Sequence, residues 1–380
     1  MFPYLRGLLL MLPILAVLAL LLASADPIFN DRLQNLFSAF RIENLGETLF
    51  RIGYSVVIAY LLLGAIYFGL VESKRWNEKS TGKPVLRPFL GSIEALMVLI
   101  GINALFLVFV ILQFNYLFGG SENISVVGYT YAEYARRGFF ELLAVAIISL
   151  ILFYALSLVT KRDTPTKRWT FSGLGLGLVA LVAIILASAY TRLQLYELAY
   201  GFTRLRTVAH VFMIGVGLLL AAIAALEIFK RMERAAFILI LFIVGFGVTL
   251  NLLNVDRFIV QQNVQRAITP PQADAQNALD TGYLFSLSDD AVPPLVGFFN
   301  DPETPQPVRD DIGGVLACRL ATLDRPKNVP LTSYHYARAR AVDVLQSQAQ
   351  NLADYPVFED EGWFVQVDGE VRSCYGESID

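Results

Sequence analysis

Seven long apolar segments constrain the fold of this chain more than any other feature. An α-helix needs about 17 to 25 predominantly apolar residues to cross the roughly 30 Å hydrocarbon core of a bilayer, and each segment meets that requirement. They lie at residues 7–23, 52–71, 95–118, 138–159, 171–190, 207–226 and 235–255. We therefore predict an all-α membrane protein in which residues 1–255 form a seven-helix transmembrane bundle.

The composition agrees with this interpretation. Of the 380 residues, 56% are hydrophobic and only 17% are charged, whereas soluble domains carry roughly 25% charged residues. This balance argues against a disordered chain, a disulfide-rich secreted scaffold and a basic protein that binds nucleic acid.

The first apolar segment admits two interpretations. Arg6, the apolar run and the small residues Ala23, Ser24 and Ala25 form the pattern of a secretory signal with a cleavage site. The run is near the upper length for a signal core, which favours a retained membrane anchor. Both interpretations give the rest of the chain the same orientation.

Lysine and arginine near the ends of the segments predict that orientation, because cytoplasmic loops carry an excess of both. The side of the amino terminus holds thirteen basic residues, including every lysine of residues 1–253, and the opposite side holds eight arginines. We expect the amino terminus in the cytoplasm and the carboxy-terminal region outside it. The outer arginines are Arg32, Arg41, Arg51, Arg136, Arg137, Arg192, Arg204 and Arg206.

The carboxy-terminal third differs in charge. Residues 254–380 hold 9 basic against 19 acidic residues, while residues 1–253 hold 21 against 14. We predict an amphipathic helix at 256–268 along the outer membrane surface, then a mainly α-helical extracytoplasmic domain at 269–380. Its expected helices lie at residues 279–287, 291–299, 308–323 and 334–354, and a small β-hairpin turns at Asp368 and Gly369.

Two features of this domain bear on its role. Residues 291–299 and 308–323 resemble one helix pair of a HEAT-type repeat, which hints at a protein-binding surface. Cys318 and Cys374 are the only cysteines. A disulfide bond between them is favoured slightly over two free thiols, because the predicted compartment permits disulfides.

The predicted outer face concentrates charged and tyrosine residues around spans four and six. Glu133, Arg137 and Glu141 follow helical spacing into the membrane, and the segment before span six adds further arginines and tyrosines. Such a set could bind a phosphate, a carboxylate or an anionic lipid head group. The candidate site comprises Glu133, Arg136, Arg137, Glu141, Arg192, Tyr196, Glu197, Tyr200, Arg204, Arg206 and His210.

Simpler interpretations compete with this site. Glu133, Arg137 and Glu141 could form an intrahelical ion-pair ladder, and the tyrosines could form the usual aromatic belt of a membrane interface. His210 is expected to be a hydrogen-bonded interface residue, and no Cys/His cluster with metal-ligand spacing occurs in the sequence, so we predict no metal. The sequence offers no Ser/His/Asp or paired-carboxylate arrangement, so we predict no catalytic residue. We also expect no cofactor.

Several motifs resemble a family of bacterial multi-pass membrane proteins known only as a domain of unknown function. They lie at residues 24–29, 134–142, 192–206, 254–263, 280–295 and 336–340. The resemblance extends to about residue 345. It implies a bacterial plasma-membrane location and a retained first span, and it carries no activity.

Three functions remain open. The first is a non-enzymatic membrane component whose outer face and carboxy-terminal domain bind a partner, assemble or sense a ligand. The second is a membrane-surface enzyme or lipid- or anion-binding protein that uses the outer arginines. The third is a transporter, which the scarcity of ionisable residues in the span centres disfavours. Asn103 is the clearest polar residue there.

Overall fold

The computed structural model describes residues 2–38, 88–117, 138–269, 279–322 and 335–375. Up to residue 253 the described chain is almost entirely helical, as the apolar segments predict. Its helices are α1 (Phe2–Ala25), α2 (Pro27–Ser38), α3 (Ser92–Leu117), α4 (Phe139–Val159), α5 (Pro165–Tyr200), α6 (Arg204–Ile228) and α7 (Ala235–Leu253).

Six of the described helices are long and apolar enough to cross a membrane, so the chain is a multi-pass membrane protein. They correspond to the predicted segments except 52–71, which lies outside the described residues, and the count of seven therefore stays a prediction. The segment Met232–Leu253 buries none of its apolar window within the described protein. Side chains such as Phe237 and Leu252 are exposed and are suited to contact with lipid.

The chain divides into two compact units. Unit 1 comprises Met1–Leu195 and Phe212–Val244, and unit 2 comprises Tyr196–Val211 and Gly245–Asp380. In unit 1, α1 packs against α3 and α4. Small residues permit this close packing, since a Cβ atom at Gly101 would lie 2.7 Å from the sulfur of Met11.

Asn103, the polar residue in the centre of α3, donates hydrogen bonds to neighbouring backbone carbonyls. The Asn103 amide donates hydrogen bonds of 2.8 Å to the Leu99 carbonyl and 3.1 Å to the Leu174 carbonyl. Asn103 therefore links α3 to α5, as polar groups do between membrane helices.

Helix α5 is longer than the sequence predicts. Residues 191–200, which we expected in a loop, continue the helix to Tyr200. No proline or glycine interrupts this stretch before Gly201, which has a φ of +78° and ends the helix in the left-handed conformation that glycine adopts without strain.

Unit 2 contains shorter helices followed by strands. The helices are α8 (Val255–Ile268), α9 (Thr281–Ser286), α10 (Val292–Asn300), α11 (Gln306–Ala321) and α12 (Tyr336–Ser347). Short 3₁₀ helices lie at Asp289–Ala291 and Asn351–Asp354. The strands are β1 (Val357–Glu359), β2 (Trp363–Val367) and β3 (Glu370–Ser373).

One hydrophobic core joins these elements. Ile259, Val260 and Val264 of α8 are fully buried in it, together with residues of α10 and α11 such as Leu295 and Leu316. The apolar residues on which the prediction of an amphipathic helix rested therefore pack against the core of unit 2. The location of α8 in the membrane interface stays a prediction.

The predicted hairpin is part of a three-stranded antiparallel sheet in the order β1-β2-β3. Asp368 and Gly369 turn between β2 and β3 with φ angles of 51° and 83°, as a two-residue turn with a twist matched to the strands requires. Strand β1, in which Val357 pairs with Val365, was not predicted from the sequence.

A disulfide bond between Cys318 and Cys374 ties α11 to the residue after β3, as predicted. The two Cα atoms are 5.8 Å apart and the cysteines are separated by 56 residues. Gly314 lies next to the sheet, where a Cβ atom would approach Val367 to 2.8 Å. Helix and sheet therefore pack closely beside the covalent link.

The helix that we predicted at 334–354 is wrong in length. Helix α12 ends at Ser347, and a turn leads into the 3₁₀ helix. Residues 346–351 contain no large apolar side chain that could hold a continued helix against the core. The break brings Leu352, which is 3% exposed, into the core instead.

Candidate functional site

Eight of the eleven residues predicted for the outer-face site are described. Glu133, Arg136 and Arg137 lie outside the described residues, so the proposed pairing of Arg137 with Glu141 remains a prediction. Glu141 is half-buried in the first turn of α4. Together with Arg192 it belongs to unit 1, and the other six residues belong to unit 2.

Arg192 is fully buried in unit 1 and forms an ion pair with Asp26. Its guanidinium lies 2.7 Å from an Asp26 carboxylate oxygen and donates a second bond of 2.8 Å to the Ala25 carbonyl. The other oxygen of Asp26 accepts the backbone N–H groups of Ile28 and Phe29, which caps α2. Arg192 therefore holds the junction between α1 and α2.

Arg204, the first residue of α6, pairs with Asp256 of α8. Its Nε and Nη2 atoms lie 2.7 Å and 2.5 Å from the two carboxylate oxygens. Asp256 also accepts the backbone N–H of Ser288 at 2.7 Å. Burial alone would raise the pKa of Asp256, but the bonds from Arg204 and Ser288 outweigh that effect and lower it to about 2.

The turn between α5 and α6 is held by side chains of unit 2. Asn263 of α8 accepts the N–H of Phe202 at 2.7 Å and donates to the Phe202 carbonyl at 2.9 Å. Arg206 donates to the Gly201 carbonyl at 2.5 Å, and its guanidinium lies 4.1 Å from the centre of the Tyr196 ring. Arg266 donates to the Ala199 carbonyl.

Glu197 and His210 face each other across the same turn. The Nδ1 atom of His210 lies 2.9 Å from an oxygen of Glu197, whose side chain is 2% exposed. Tyr200, by contrast, is 45% exposed and packs edge-on against Tyr196. This tyrosine pair fits the aromatic-belt interpretation.

The structure thus gives most of the described site residues internal partners. Three of these partners, Asp26, Asp256 and Asn263, were not predicted from the sequence. A local signal existed for Asp26, because aspartate followed by proline is a common start of a helix. Nothing in the local sequence indicates that Asp256 meets Arg204, since 52 residues separate them.

A surface groove in unit 2 was not predicted. It has a volume of about 370 Å³ and lies on α10, between α8 and α12. Gly297 lies on its floor, and a Cβ atom there would meet nothing within 4 Å. The lining residues are Arg257 and Gln261 of α8, Pro293, Pro294, Gly297 and Phe298 of α10, Asp301, and Arg340 of α12.

In the part of the chain that the structure describes, no three histidine, cysteine or acidic side chains are grouped so that they could hold a metal ion. The carboxylates of Asp26, Glu197 and Asp256 are held by arginine, histidine or backbone N–H groups. The groove described above combines apolar lining residues with charged and polar side chains.

Comparison with known proteins identifies the family. Residues 1–297 match the family described as "Domain of unknown function (DUF4153)". The chain belongs to this family. No curated protein and no solved structure matches it.

The family match covers the six described spans and continues through α8 and α9 into α10. It ends at residue 297, short of the expected limit near residue 345. Within the DUF4153 match, segments that carried the resemblance contact one another. Residues 24–29 meet 192–206 through Asp26 and Arg192, and 192–206 meet 254–263 through Arg204 and Asp256.

Proposed function

We propose that this DUF4153 member is a non-enzymatic component of a bacterial plasma membrane. Its amino terminus faces the cytoplasm, and its carboxy-terminal domain lies outside and binds a protein partner. The groove on α10 is the observation that carries this function.

Two independent features support an extracytoplasmic carboxy-terminal domain. Every lysine of residues 1–253 belongs to the side predicted to be cytoplasmic. The disulfide between Cys318 and Cys374 is the second feature, because disulfides persist in oxidising compartments and are rare in the cytosol.

The surface that α10 contributes to the groove is apolar, which supports partner binding. A helix on a protein surface normally presents polar residues to water, but α10 contains no charged residue and exposes Gly297 between prolines and Phe298. A concave apolar floor with polar groups at its edges is the usual character of a recognition site. It fits the role that the helix pair in the sequence suggested.

Site-specific photocrosslinking in membranes tests this function. The full chain carries p-benzoylphenylalanine in place of Gly297, and a control chain carries it in place of the exposed Asp360. We expect a discrete crosslinked protein from position 297 alone, identified by mass spectrometry. Failure to crosslink at 297, or the same products at both positions, would contradict the proposal.

The alternative function is binding of an anion or lipid head group through the outer arginines, and one observation favours it. Arg206 is half-buried over Tyr196 and bonds a backbone carbonyl with only part of its guanidinium, which leaves donors for a phosphate. The full chain in detergent should then retain phosphatidylglycerol, and Arg206→Gln should lose it, while Arg338→Gln should not. Equal retention by all three proteins would count against this alternative.

A further inference from the structure

The groove on α10 combines an apolar floor with two arginines, although the region around it is acidic. Residues 254–380 hold 19 acidic and 9 basic residues, yet Arg257 and Arg340 both line the groove. They come from α8 and α12, so the fold brings together two cations that are 83 residues apart in sequence.

Other arginines of unit 2 differ from these two because they have internal partners. Arg319 donates to four backbone carbonyls, among them those of Leu284 and Leu287. Arg372 pairs with Asp311 at 2.6 Å. For Arg257 and Arg340, by contrast, no side-chain hydrogen bond or ion pair occurs within the described residues, and both are exposed.

The single carboxylate of the groove is already engaged. Asp301 lies at the end of α10, where its side chain accepts the N–H of Glu303 at 3.0 Å. Two guanidinium groups and one carboxylate line the groove, so its net charge is positive, in a domain whose net charge is negative.

We infer that the groove binds a protein segment in which carboxylates flank an apolar side chain. This inference rests on the proposed function and names the chemistry of the partner. The carboxylates would pair with Arg257 and Arg340, since guanidinium and carboxylate form two parallel hydrogen bonds. The apolar side chain would cover Gly297, because glycine has no side chain and the space above it is open.

Peptide binding to the full chain in detergent tests this inference. The probes are fluorescein-labelled hexapeptides with two glutamates around a central leucine, phenylalanine or tryptophan, and matched peptides with glutamine in place of glutamate. We expect at least one glutamate peptide to bind, its glutamine partner to bind about tenfold more weakly, and its affinity to fall with added salt.

Variants of the groove complete the test. Arg257→Gln and Arg340→Gln should each weaken glutamate-peptide binding about tenfold, and Arg338→Gln, an exposed residue of the same helix outside the groove, should not. Equal binding of glutamate and glutamine peptides, or no binding, would overturn the inference. So would arginine-dependent binding to phosphatidylglycerol vesicles without any binding to the peptides.

The two proposals fail in different ways. A crosslinked partner at position 297 together with charge-independent peptide binding would leave the proposed function in place and refute the acidic recognition. No crosslinked partner at position 297 together with no peptide binding would refute the proposed function and the acidic recognition alike.

Discussion

At the scale of single residues, three of the arginines predicted on the outer face are held by nearby acceptors. Arg192 pairs with Asp26 and Arg204 pairs with Asp256, while Arg206 covers the carbonyl end of α5. Arg192 and Arg204 thus connect segments that are distant in sequence. If these residues lie on the outer side, this role is a structural reason for arginines in loops that are usually depleted of them.

Asp256→Asn should destabilise unit 2 by about 1–2 kcal/mol. This loss is smaller than for a fully buried ion pair, because the side chain of Arg204 is half-exposed and water screens the interaction. The pKa of Asp256 is lowered in the fold from 3.8 to about 2. The contribution of the Asp256 carboxylate to the free energy of unfolding is therefore complete above pH 3.8 and is lost as the pH falls towards 2. Thermal unfolding of the full chain in detergent between pH 6 and 2 measures both effects.

The exposed Asp360→Asn is the matched control for this prediction and should leave the unfolding temperature unchanged. If Asp256→Asn keeps the pH dependence of the unmodified chain over this range, the pairing with Arg204 does not contribute as described.

Replacement of Arg192 by methionine should be severe. It leaves the Asp26 carboxylate buried without its cation, and breaking a buried ion pair costs about 3–5 kcal/mol. The double variant Asp26→Asn with Arg192→Met should recover part of that loss, because no unpaired charge remains. Fluorescence-detected size exclusion after heating compares the three proteins, and a double variant no more stable than Arg192→Met would speak against the pair.

At the scale of elements, apolar length and turn residues predicted most of the fold. The spans follow from uninterrupted apolar runs, and the hairpin turn follows from Asp368 and Gly369. The end of α12 and strand β1 were missed because both depend on tertiary packing. Leu352 enters the core only if the helix stops, and Val357 is a strand residue only because Val365 lies beside it.

The disulfide should contribute more to the stability of unit 2 than any other single link between α11 and the sheet. A bond that closes a loop of 56 residues restricts the unfolded chain by about 4 kcal/mol in the chain-entropy estimate. Cys374→Ser should therefore lower the unfolding temperature and increase proteolysis of residues 357–375. Limited proteolysis with mass spectrometry checks this, with Ser373→Ala as the control, and equal cleavage of both variants would contradict it.

At the scale of the whole molecule, the candidate site illustrates what sequence can predict. Residue types and helical spacing drew attention to the charged residues of the α5–α6 turn, and their role as a binding site stays a prediction. They did not indicate that Arg204 would meet Asp256, nor that α8, α10 and α12 would enclose a groove, because both features arise from packing between distant segments.

Reporter fusions can test the predicted orientation of the whole chain. Alkaline phosphatase fused after Tyr375 should be active in a bacterial host, and green fluorescent protein fused there should stay dark, because the carboxy-terminal domain is proposed to leave the cytoplasm. Fusions after Lys230 should give the opposite pattern. A fluorescent fusion after Tyr375 would refute both the orientation and the extracytoplasmic partner.

The position of the second cysteine has a consequence for biogenesis. Cys374 follows the last strand of the sheet, whereas Cys318 lies near the end of α11. With the domain outside the cytoplasm as proposed, the bond can therefore form only after the six described spans and the chain through residue 374 have been synthesised. A product that ends between residues 318 and 374 lacks the second cysteine and cannot form this bond, so α11 and the sheet of a truncated copy have no covalent link.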